Sequence, residues 1–139
     1  MSLEERMEAL ASALVKREER HAGDLARARE KADELYAQLD SAVERFNGVI
    51  AGTAPGLQLA VNGPRLDEKH AHSVQLDLER GRHRALVIVK SKAEVILVGP
   101  FKAGKAEGPC QTFAFSAKDE LDAALGDFLE RFAEEATNP

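Results

Sequence analysis

The sequence predicts an α+β fold: a long N-terminal helix, an antiparallel sheet of about five strands and a C-terminal helix packed on that sheet, in one domain of 139 residues. Three observations carry this expectation. Residues 3–50 contain no proline and place apolar side chains at helical spacing, residues 57–115 form short apolar runs cut by glycine, proline and asparagine, and residues 116–136 return to the helical period.

The first fifty residues form the helical arm. Leu3, Met7, Leu10 and Leu14, and then His21, Leu25, Ala28, Ala32, Leu35, Leu39, Ala42, Phe46 and Val49, advance in alternating steps of four and three. Such a seam asks for a partner surface along its length. The two groups do not share a heptad frame, because Leu14 and Leu25 are eleven residues apart, which is a stutter. The same place allows a kink or a break near Gly23, with Lys16, Arg17, Arg20 and His21 before the glycine and Asp24 after it. A continuous helix is favoured, since one interior glycine costs only about 1 kcal/mol. It would run about 70 Å, far beyond the width of a domain this size, so part of it needs cover.

Glycines and Pro55 end the arm. Leu57, Leu59 and Val61 alternate with polar or small residues as a first strand, closed by Asn62-Gly63-Pro64 ahead of a polar loop. Val74, Leu76 and Leu78 alternate with Gln75, Asp77 and Glu79, giving a second strand with one wet face. The third and fourth, around Leu86–Val89 and Val95–Val98, do not alternate. Continuous apolar runs predict burial on both faces and hence two covering layers. Gly99-Pro100 closes the fourth strand, and a fifth, residues 110–115, puts Phe113 and Phe115 on one side. Ser116 is the expected cap of the last helix, whose stripe is Leu121, Leu125, Phe128, Leu129 and Phe132.

Composition narrows the function classes. The formal net charge is −5. The basic side chains gather in the middle of the chain and the acidic ones in the last helix, so sheet and helix attract one another while the whole chain repels a nucleic-acid backbone. There is no tryptophan and one tyrosine, Tyr36, which gives no stacking platform for single strands. Cys110 is the only cysteine; it excludes an internal disulfide and reads as a small buried hydrophobe in a reducing compartment. No leader peptide and no membrane-length apolar run is expected, which makes the cytoplasm the default and leaves no membrane partner.

No motif names a catalytic site or a cofactor. His70 and His72 are the weak metal candidates, since an extended His-x-His puts both imidazoles on one side, but zinc asks for a third protein ligand, with His83 the nearest in sequence. Arg80, Arg82 and Arg84 at a hairpin tip are a possible anion patch. Gly104-Lys105 lacks the spacing of a phosphate loop, and no nucleophile elbow surrounds Ser73 or Ser116.

Three functions compete. The first is a non-enzymatic oligomerisation or adaptor protein, a homodimer in its simplest form, self-associating through Leu25, Ala28, Ala32, Leu35, Leu39 and Phe46 and through a sheet face. The alternative is a small-ligand or enzyme domain with a pocket between arm and sheet lined by Leu86, Ile88 and Phe113. Nucleic-acid binding through the basic turns is disfavoured by the acidic balance.

Overall fold

The computed structural model describes residues 1–67 and 72–138. Helix α1 runs unbroken from Leu3 to Ile50, through Gly23 and past Asn47-Gly48. Ser2 caps it, its Oγ accepting from the Glu5 N–H at 3.1 Å, and Glu4 and Glu5 complement the positive end of the helix. A 3₁₀ turn, Pro55–Leu57, leads into strands β1 (Ala60–Leu66), β2 (Ser73–Arg80), β3 (His83–Lys90), β4 (Glu94–Lys102) and β5 (Cys110–Ala114). Helix α2, Lys118–Ala136, closes the chain. The strands pair antiparallel in sequence order, β1-β2-β3-β4-β5, as short connections favour.

Two strands are longer than their sequence suggests. β1 continues past Asn62-Gly63-Pro64, absorbing the two residues as a bulge between Asn62 and Arg65, and β4 continues past Gly99-Pro100 opposite a shift between Arg84 and Leu86. Glycine-proline pairs read as strand ends are thus bulges. Gly63 has φ +115°, and a Cβ there would lie 2.8 Å from the Gln75 carbonyl oxygen, so only glycine fits. At the start of α2 the cap position is Ala117 and no side chain caps the helix; Ser116 lies one residue too early.

Register assigns the faces. Val74 pairs with Val89, Leu76 with Val87, Val87 with Leu97, and Val89 with Val95, and all of these are buried. α1 lies over β1, β2 and β3 on this face, and α2 over β3 and β4, so one core holds Ala28, Ala32, Leu35, Leu39 and Val43 of the first helix with Leu121, Leu125, Phe128 and Phe132 of the second. Both helices cover the same side. Among the described residues no second layer covers the other side, where Gln75 pairs with Ile88, Asp77 with Leu86, and Ile88 with Ile96. Leu86, Ile88 and Ile96 are therefore half-buried on an open face, and Ile88 shares that face with Asp77 rather than lying opposite it.

Two polar clamps fix the ends of the layers. The Asn47 side chain meets the Leu59 backbone twice, its Nδ2 donating to the carbonyl at 2.9 Å and its Oδ1 accepting from the N–H at 2.8 Å. Arg80 donates to the Ala136 carbonyl at 2.7 Å and to the Gly56 carbonyl at 2.9 Å, placing a cation at the negative end of α2.

Candidate interaction surfaces

Of the residues read as a self-association seam, Ala28, Ala32, Leu35 and Leu39 are at most 1% exposed within the single chain, and Leu25 and Phe46 are partly buried against the same core. Their cover is the chain's own sheet. At the far end of the stripe Val43 is buried in place of Ala42, and Val49 is 84% exposed. A straight helix drifts by about 20° per heptad, which carries the buried line from the 42 position to 43.

What remains without cover is the first part of α1. All of residues 1–20 are exposed, including Leu3 at 72%, Met7 at 58%, Leu10 at 52% and Leu14 at 41%. At 100° per residue these four fall in the same sector as the buried line, about 80° wide, because eleven residues are close to three full turns. The heptad stutter is therefore a straight helical stripe. Its lower half packs on the sheet and its upper half overhangs the sheet's end with the apolar side still facing sheetward.

The second surface is the open sheet face. Leu86, Ile88 and Ile96 are ringed by Arg65, Gln75, Asp77, Lys90 and Glu94, and a hollow of about 510 Å³ opens beside Ile88 and Ile96 toward Ser91 and Lys92. Asp77 is already engaged: it forms an ion pair with Arg65 and accepts from the Gln75 amide at 2.9 Å. The hydrogen bond that the Arg65 guanidinium donates to the Asp77 carboxylate raises the Arg65 pKa above the ordinary arginine value.

The junction between overhang and body carries a contact that sequence reasoning missed. His21 of α1 and His72, just before β2, place their Nδ1 atoms 2.9 Å apart, one imidazole donating and the other accepting. They are 51 residues apart in the chain, so no local spacing signals the pair. His70 lies outside the described residues. His83 begins β3, paired with Arg80 at the opposite end of the β2–β3 ladder from Ser73, so it is remote from His72. Among the described residues no three His, Cys, Asp or Glu side chains converge as a metal site would require.

The arginines at the β2–β3 hairpin point in different directions. Arg80 reaches the helix-covered side, Arg82 donates to the Ala103 carbonyl at 3.2 Å, and Arg84 donates to the His83 carbonyl at 2.9 Å while pairing with Glu79 at 3.6 Å. Their guanidiniums serve backbone carbonyls and a carboxylate within the chain. Cys110 is exposed on the edge strand rather than buried. Its place at the rim of the open face explains this, since no helix among the described residues covers that side.

A pocket between arm and sheet lined by Leu86, Ile88 and Phe113 is not built, because the first two side chains lie on the open face and Phe113, paired with Val95, lies on the covered one. An apolar hollow touching both helices, about 360 Å³, is lined by Val43, Phe46, Leu59, Leu129 and Ala133 with Glu130 and Glu134 among its polar groups. Thr137, also there, spends its hydroxyl on the Ala133 carbonyl at 2.7 Å. No helix among the described residues is long and apolar enough to cross a membrane. Compared with known proteins, the chain matches no family model, no curated protein and no solved structure.

Proposed function

We propose that this chain is a non-enzymatic assembly protein of the cytoplasm, a homodimer in its simplest form, that self-associates through the overhanging part of α1 and holds the open sheet face as a second contact surface. One observation carries the reading: four large apolar side chains at helical spacing, Leu3, Met7, Leu10 and Leu14, stand 41–72% exposed on a helix segment in which every residue from 1 to 20 is exposed. Scattered exposed apolar residues need no explanation, but a continuous stripe does. An isolated helical segment of this length is also marginal in water, so burial of its apolar side is what would hold it. The open face adds Leu86, Ile88 and Ile96 with charges of both signs around them, a composition suited to an interface rim. The single cysteine agrees with a reducing compartment.

Hydrogen exchange tests the reading. Amides of residues 5–18 are expected to gain protection as the protein concentration rises from about 1 μM to about 200 μM, because association would close their fraying equilibrium. Rapid exchange of that segment at every concentration, alongside a protected core, would contradict it.

A further inference from the structure

We infer that the occupant of the overhanging stripe is the same stripe of a second copy, laid antiparallel, with Leu3 against the partner's Leu14 and Met7 against the partner's Leu10. The inference rests on the self-association proposed above and adds the orientation and register.

Orientation follows from which way the stripe faces. Leu3, Met7, Leu10 and Leu14 lie on the side of α1 that carries Ala28, Ala32, Leu35 and Leu39, and that side is occupied by the sheet from about Leu25 onward. Two packed helices sit 8–10 Å apart, roughly the depth at which the sheet itself lies under α1. In a parallel pair each helix, continued past His21, would run into the other copy's sheet. In an antiparallel pair the two bodies lie at opposite ends of the paired arms. The partner's helix then starts level with Leu14, about two turns short of His21, where exposure first falls.

Register follows from where the apolar stripe stops. The next positions of the same frame are Arg17 and His21: Arg17 is exposed and pairs with Glu18, while His21 is held by His72. The apolar layers available are therefore Leu3, Met7, Leu10 and Leu14, and only the stated register matches all four with apolar partners. Sliding by one heptad sets Met7 against the partner's Arg17 and buries a charge.

Charge points the same way. The first turns carry Glu4, Glu5 and Glu8 with Arg6, and the far end of the arm carries Lys16, Arg17 and Arg20 with Glu18 and Glu19. Antiparallel pairing brings Glu4 and Glu5 within about one turn of the partner's Lys16 and Arg17, whereas parallel pairing sets the three glutamates beside their own copies.

Spin labels on the full chain decide it. Nitroxides are attached at Ala11→Cys or Arg20→Cys in a Cys110→Ser background, all exposed positions whose change leaves the core intact. In the proposed register the two labelled sites of a dimer are offset along the axis by about 8 Å at Ala11 and about 35 Å at Arg20, at 1.5 Å per residue. Strong dipolar broadening at the first and a distance near the second value are the expected result. Equally short distances at both positions, or a longer one at Ala11, overturn the antiparallel register while leaving self-association standing. No dipolar coupling at either position at about 200 μM overturns the inference together with the proposed function.

Discussion

Leu35→Ala separates the two ways in which the central part of the α1 stripe could be covered. Leu35 is 1% exposed inside the chain's own core. Truncation removes three buried carbons, worth about 2.4 kcal/mol at about 0.8 kcal/mol each. A residual cavity of about 60 Å³ adds roughly 1.5 kcal/mol at about 24 cal/mol per Å³. The sum, about 4 kcal/mol, is a large share of the roughly 5–15 kcal/mol that holds a domain together. Urea denaturation followed by circular dichroism reads it directly: the midpoint falls and the slope stays the same. Because the cover is intrachain, the difference between variant and parent is expected to be equal at about 2 μM and about 100 μM. A loss below about 1 kcal/mol, or one that changes with protein concentration, would show that a second copy covers Leu35 and that the packing described above is wrong.

Two further outcomes follow from the same geometry. Leu97→Ala, in the covered core at 2% exposure, is expected to cost about 3–4 kcal/mol, and Ile88→Ala, half-buried on the open face, about 1–2 kcal/mol in dilute solution by the same denaturation assay; the reverse order would mean the faces are exchanged. Gly63→Ala is expected to cost more than about 1 kcal/mol, since it combines a positive φ with a backbone clash, whereas Gly23→Ala, with only a flexible arginine tip within 4 Å, should raise helicity at 222 nm, a gain of about 1 kcal/mol; a loss of helicity at Gly23→Ala would indicate a break in α1 there.

Much of this architecture is legible in the residues, and the parts that are not have physical causes. The period of two in β2 and the stripe Leu121, Leu125, Phe128 and Phe132 of α2 report local amphipathicity, and local amphipathicity decides those elements. The continuous runs of β3 and β4 report apolarity but not which layers cover it, so Leu86, Ile88 and Ile96 read as doubly buried although both helices lie on one side. The seam at Ala28, Ala32, Leu35 and Leu39 is visible as a demand for cover, while the identity of the cover, the chain's own sheet, is a property of topology. Gly63-Pro64 and Gly99-Pro100 carry strong turn chemistry, which the ladder overrides as bulges. The clamps made by Asn47 and Arg80 and the contact between His21 and His72 join residues 12 to 56 positions apart, and no spacing rule reaches so far.

Sedimentation equilibrium tests the central claim most directly, because it weighs the intact chain without a label. Parent protein and Leu10→Glu are compared between about 5 μM and about 200 μM, with the variant's carboxylate placed in the exposed stripe and away from the core. The parent is expected to rise toward twice the 15.1 kDa chain mass with concentration, while Leu10→Glu stays at the single-chain mass with an unchanged denaturation midpoint at the lowest concentration. A parent that remains at 15.1 kDa throughout, or a Leu10→Glu variant that associates as strongly as the parent, would contradict self-association through the overhanging helix.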